Sequence, residues 1–124
     1  MIHVPREEFE RLVFEAIDGL PKEFSEKLKD VVIAIEDNPS SQDIGERKLP
    51  PGMLLLGLYH GIPLTRKSPF AGMTMPDQIT IFQNPIERIC QTPQEIITQV
   101  RRTVLHEIAH HFGISDKRLR ELGY

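Results

Sequence analysis

The feature that most constrains this chain is the run His106-Glu107-Ile108-Ala109-His110, followed at three-residue steps by Gly113 and Asp116. The surrounding residues 93–112 carry a helical pattern. Histidines four positions apart therefore stand one turn apart and about 40° apart around the axis. Their imidazoles can converge on a single metal ion. Ile97, Val100, Val104 and Ile108 form the apolar stripe, and both histidines point to the opposite side with Gln99 and Thr103. Such a helix packs one face and offers the other to a cleft. Glu107 lies off the ligand stripe and can reach a metal-bound water without taking a coordination position.

With five His in 124 residues, a chance His-Glu-x-x-His is expected in roughly 2% of shuffled sequences. Alone, it leaves open a pair of solvent-facing histidines on an amphipathic helix. Requiring Gly113 and Asp116 at set offsets lowers the chance match about 300-fold. The extension also has a physical sense. Glycine can take the left-handed conformation that ends a helix and bends the chain back. Asp116 can then return to the metal as a third ligand, or serve as the N-cap of a last short helix, or do both. Two neutral imidazoles, one carboxylate and an open water position form a catalytic zinc set, whereas structural zinc sites are usually closed and Cys-rich.

The rest of the chain bounds what surrounds this motif. Its 124 residues suit one domain, 1–124, long enough to bury a core. Charged residues make up 27% and apolar residues 40%, which argues against disorder and fibrous repeats. No apolar run approaches the ~20 residues of a membrane span, and the N-terminus lacks a secretory apolar core. The single Cys90 fits a reducing cytoplasm. A net charge of −3 gives no bias toward nucleic acid or membrane. Residues 1–46 hold twelve carboxylates against five Lys/Arg and residues 101–124 five Lys/Arg against three acids, which reads as a solvated acidic face or as a basic C-terminal helix that binds an acidic partner.

Local patterns predict a helix with Pro5 at its first position, carrying Phe9, Leu12, Val13, Ala16, Ile17 and Leu20, ended by Gly19 and Pro21, and a helical turn over 21–29. A buried strand is expected at 31–35, a loop at 38–52, a second strand at 53–59, a turn at 60–63 and a long loop at 64–77. Strict alternation at 78–82 predicts a third strand near a sheet edge, with one less buried side. Asn84-Pro85-Ile86-Glu87 reads as an N-cap, a proline and an N3 acid. Thr92-Pro93-Gln94-Glu95 reads as a capping box opening a helix that runs to Phe112. Ser115 or Asp116 caps a final helix holding Leu119 and Leu122. The order indicates an α+β domain.

Other candidates are weaker. His111 points about 100° from His110 and reads as a supporting or surface residue; His3 and His60 stand alone. Tyr59, Arg66 and Tyr124 could stabilise an oxyanion, but the sequence does not place them. Cys90 reads as a small buried hydrophobe. Short Lys/Arg clusters without interleaved aromatics give no nucleic-acid argument.

Residues 55–65 (LLGLYHGIPLT), 76–86 (PDQITIFQNPI), 102–116 (RTVLHEIAHHFGISD) and 119–124 (LRELGY) resemble the blocks of the small bacterial zincin-like metallopeptidases, the minimal metalloproteases once catalogued as a domain of unknown function. The resemblance spans nearly the whole chain. It implies zinc on His106, His110 and Asp116 with Glu107 as general base. It also implies a minimal zincin-like fold, in which a small mixed sheet lays an edge strand above the active-site helix; by order, that strand is 78–82. The motif is also similar to that of metzincins, with Asp116 where they place a third His. Their Met-containing turn is absent after Asp116, as is a C-terminal subdomain to form the lower wall of a cleft.

Two functions follow as expectations. The first is a cytoplasmic zinc peptidase acting on a peptide or protein laid along the edge strand, with no nucleic-acid or membrane partner. The second is a metal-stabilised interaction module with little turnover. A partner protein completing the cleft would supply the missing wall in either case.

Overall fold

The first helix forms where the apolar period requires it. In α1 (Arg6–Asp18), Phe9, Leu12, Val13 and Ala16 are buried along one face. Pro5 takes the N-cap position rather than the first helical one, and its carbonyl accepts the Phe9 amide at 2.9 Å. At the other end the Arg101 guanidinium donates to the Ala16 carbonyl at 3.0 Å, placing a cation where the helix dipole favours it. The computed structural model describes residues 1–47, 49–50, 52–61 and 76–124. Within them α1 is followed by α2 (Lys22–Lys27), β1 (Val31–Glu36), α3 (Ser41–Arg47), β2 (Gly57–His60), β3 (Asp77–Phe82), α4 (Gln83–Ile89), α5 (Pro93–Phe112) and α6 (Asp116–Glu121). This is a mixed α+β architecture around a small sheet.

The strands order as β1-β3-β2. β1 runs parallel to β3, from Val31 opposite Asp77 to Glu36 opposite Phe82. β2 runs antiparallel to β3, from Gly57 opposite Ile81 to His60 opposite Gln78. The expected edge strand at 78–82 is therefore the centre of the sheet, and the edges are β1 and β2. Its alternation does not mark an exposed side. Ile79 and Ile81 enter the main core, while Phe82 on the other face packs with Leu55 and Leu58 in a second cluster. Two different apolar layers cover the two faces. β1, expected to be buried, is half-buried as an edge, with Val32 45% exposed.

Other expectations change as well. The second strand covers 57–60 rather than 53–59. The expected loop at 38–52 contains α3, opened by a reciprocal cap in which Asp43 N donates to Ser40 Oγ at 3.0 Å and Ser40 N donates to Asp43 Oδ2 at 2.9 Å. α4 starts at Gln83 directly from β3, with Phe82 in the N-cap position and no side-chain cap, so Asn84 does not cap it. Glu87 is not a surface capping acid either. It is 2% exposed and accepts the Val4 amide at 2.8 Å and Gln83 Nε2 at 3.3 Å, fastening the N-terminal segment to α4. The turn expected at 60–63 and the loop at 64–77 lie mostly outside the described residues.

α5 is the hub. α1, α2, α4 and α6 pack around it, and β2 and β3 cross it. Ile96, Val100, Val104, Leu105, Ile108 and Ala109 are fully buried along its length. Burying each of the large aliphatic side chains contributes about 1.5–3 kcal/mol. The helix that carries the motif is thus the most firmly held element of the fold.

Candidate metal centre

The ends of α5 form as their local chemistry dictates. Thr92 Oγ1 accepts the Glu95 amide at 3.1 Å, and Glu95 Oε2 accepts the Gln91 amide at 2.7 Å, with Pro93 as first residue. Gly113 sits at φ 71°, where a side chain is disfavoured, and the Ile114 amide turns back to the Ala109 carbonyl at 2.8 Å. Ile114 is partly buried against the core, which fixes the bend.

His106 and His110 lie side by side, ring centres 6.5 Å apart and planes at 66°. His106 is half-buried and His110 exposed. Two imidazoles sharing one zinc at tetrahedral geometry have ring centres roughly 5 Å apart. A rotation of the exposed His110 side chain closes the difference, so the pair fits a shared metal in donor type and in placement. Asp116 is exposed on the first turn of α6. Ser115, not Asp116, caps that helix, its Oγ accepting the Arg118 amide at 3.2 Å. Among the described residues no three His, Cys, Asp or Glu side chains come together as a metal-holding group. The two histidines are therefore juxtaposed, and Asp116 stands apart from them with its carboxylate uncommitted to a cap.

Glu107 is 7% exposed, because β2 packs over the flank of the helix that carries Thr103 and Glu107, while the histidine face stays open. Its Oε1 accepts the Tyr59 amide at 2.8 Å and pairs with Arg47 of α3. Both contacts use Oε1; among the described residues Oε2 makes no such contact. The close approach of β2 depends on Gly57, where a Cβ would meet Thr103 Cγ2 at 2.8 Å and the Thr80 carbonyl at 3.1 Å. Beside His106 and Glu107 opens a groove of about 230 Å³ with Leu55, Leu56 and Gly57 on one side and Gln99, Arg102 and Thr103 on the other.

Tyr59 and His111 meet at the end of β2 and α5. Their rings stack at 3.9 Å and 17°. The Tyr59 hydroxyl donates to Asp77 Oδ2 at 2.9 Å, and His111 Nε2 lies 3.8 Å from the same oxygen. Burial first, and then the Asp77 carboxylate, push the Tyr59 phenol well above the ordinary tyrosine range, so it stays a neutral hydrogen-bond donor. His111 is thus a stacked neighbour of the edge strand and has turned away from the His106–His110 pair. His60 Nε2 approaches Asp43 Oδ1 at 3.9 Å, and His3 Nδ1 approaches Glu87 Oε1 at 3.6 Å; each belongs to its own ion pair. Cys90 is buried, and burial raises its thiol above the usual range. Arg66 lies outside the described residues. Sequence reasoning missed Arg47. The Ser40-Ser41-Gln42-Asp43 capping box would have revealed its helix, but not its contact sixty positions away.

The sequence profile of the zincin-like metallopeptidase family matches residues 28–124. Among solved structures, a conserved hypothetical protein from T. thermophilus is similar, with 22% sequence identity and a TM-score of 0.56, covering 88% of this chain and 94% of that one. At that identity the likeness concerns the fold alone. No curated protein matches the chain. Among the described residues no helix is long and apolar enough to cross a membrane.

Proposed function

This chain belongs to the zincin-like metallopeptidase family, and from that premise we propose that it is a cytoplasmic zinc-dependent peptidase in which His106, His110 and Asp116 hold the metal and Glu107 is the general base. The observation that carries the reading is the state of Glu107. A structural zinc site has no use for a buried carboxylate beside its ligands, yet Glu107 is set there, aimed by the Tyr59 amide and Arg47 and bordering the groove.

Zinc, when bound, would polarise the scissile carbonyl and acidify a water. The chain's own groups do the rest. Arg47 and the Tyr59 amide hold Oε1, which leaves Oε2 to take the proton of the attacking water and pass it to the leaving amine. An extended substrate adds to the edge of β2 that no strand among the described residues pairs. The Phe82 amide donates to the Leu56 carbonyl at 3.0 Å, so Leu56 and Leu58 pair toward β3, and Gly57 and Tyr59 turn their backbone groups outward. The Tyr59 amide serves Glu107, leaving Gly57 to anchor the peptide.

A second reading, a metal-stabilised interaction module, is favoured by the Arg47–Glu107 ion pair, which neutralises the proposed base. Elemental analysis of protein purified without added metal, paired with a broad peptide-library digest, separates the two. About one zinc per chain with cleavage, both lost in His106→Ala, supports the peptidase. Zinc without cleavage supports the module, and full zinc retention in His106→Ala overturns the ligand assignment.

A further inference from the structure

The groove beside Glu107 has a chemical polarity that the proposed reaction does not use. Arg102 lines it one helical turn before His106, about 6 Å away along the helix axis. Five other arginines are engaged: Arg6 with Asp37, Arg11 with Glu8 and Glu15, Arg47 with Glu107, Arg101 with the Ala16 carbonyl, Arg118 with Glu23 and Glu121. Arg102 is exposed and has no hydrogen-bond or ion-pair partner among the described residues. Residues 48, 51 and 62–75, which complete the chain, contain no Asp or Glu. No carboxylate side chain among the described residues therefore lies within ion-pair distance of it. Arg88 and Arg120 are also without partners among the described residues, but neither lines this groove.

The opposite wall is apolar. Leu55 and Leu56 form it, and the buried Gly57 packs so close to Thr103 that no room is left there for a Cβ. An apolar wall beside a strand edge, with one unpaired guanidinium a turn from the reacting centre, is complementary to one kind of peptide. We propose that this groove is a specificity subsite for a peptide with an apolar residue over Leu55 and Leu56 and a carboxylate that reaches Arg102. The proposal rests on the peptidase reading and names its substrate class. The carboxylate comes from an acidic side chain or from the peptide's own C-terminus, and the same guanidinium fork receives either.

The test is binding, read by amide NMR on the protein supplied with zinc and on Arg102→Gln, whose exposed substitution leaves the fold intact. Four probes are titrated at low salt: acetyl-Ala-Leu-Asp-amide, acetyl-Ala-Leu-Asn-amide, acetyl-Ala-Leu with a free C-terminus, and acetyl-Ala-Leu-amide. At least one charged probe should bind about three- to tenfold tighter than its neutral counterpart, as expected of a charge-assisted contact partly open to solvent. The shifts should centre on Gly57 and Thr103, and the preference should vanish in Arg102→Gln and shrink at high salt. Preference within the Asp/Asn pair identifies a side-chain carboxylate; preference within the acid/amide pair identifies the C-terminus. Equal affinities in both pairs, no binding by any probe, or a preference that survives Arg102→Gln overturns the subsite. Charge-selective binding with no peptide hydrolysis keeps the subsite and removes the peptidase reading. Hydrolysis without charge selectivity does the reverse.

Discussion

Two buried glutamates, Glu87 in the corner between the N-terminal segment and α4 and Glu107 between α5 and β2, solve the same electrostatic problem for different ends. A carboxylate taken out of water must be hydrogen-bonded or paired. Glu87, 2% exposed, accepts a backbone amide from Val4 and the Gln83 side chain. Glu107, 7% exposed, accepts a backbone amide from Tyr59 and pairs with Arg47. In both, a strand-like segment is fastened to a helix through a glutamate. The difference is the surroundings. Glu87 shares its Oε2 between both donors, and its Oε1 faces His3 Nδ1 at 3.6 Å. Glu107 puts both contacts on Oε1 and borders a groove beside two histidines. Burial and hydrogen bonding alone do not distinguish a structural carboxylate from a chemical one; the neighbours do.

The contrast breaks most sharply on Glu107→Gln. Hydrolysis should fall about 10²–10⁴-fold, the usual scale for a positioned base, with zinc content and folding kept. Loss of zinc would make Glu107 a ligand or a ligand support and erase the distinction between the two glutamates. Next in size is Glu87→Ala, which leaves the Val4 amide and Gln83 amide without an acceptor. It should cost about 1–3 kcal/mol, read as a lower midpoint in chemical denaturation, with turnover per folded molecule unchanged. A tenfold fall in that turnover would mean the two corners are coupled.

The smallest effect concerns Tyr59, whose amide serves Glu107 and whose hydroxyl meets Asp77. The folded-state value of the Tyr59 phenol is raised above its unfolded value, mainly by burial. Its contribution to stability is therefore complete below about pH 10, the ordinary tyrosine value, and is lost as pH rises toward the folded value. Thermal melts between about pH 9 and 11 should decline less steeply for Tyr59→Phe than for wild type. Equal slopes would show that the phenol gains nothing from Asp77 and its burial.

What the sequence alone determined is the local part. The period of Phe9, Leu12, Val13 and Ala16, the capping box at Thr92, the left-handed stop at Gly113 and the one-turn spacing of His106 and His110 are all fixed by contacts within a few residues, and the α+β class follows from their order. The family, too, was legible in the blocks around the motif. Tertiary structure decided the rest. Strand order made β3 central because a parallel partner from residues 31–36 occupies its other edge, and alternation in one strand carries no information about which neighbours pair with it. The flank of the helix between the core stripe and the histidines is covered by β2, so Glu107 is buried there, a burial that helical periodicity alone did not specify. Arg47 reaches it from a short helix whose cap was visible in the sequence but whose docking was not, because side chains sixty positions apart meet only through packing. Period and caps are short-range and are written residue by residue; register, edge and ion-pair partner are choices among long-range alternatives that only the assembled core makes.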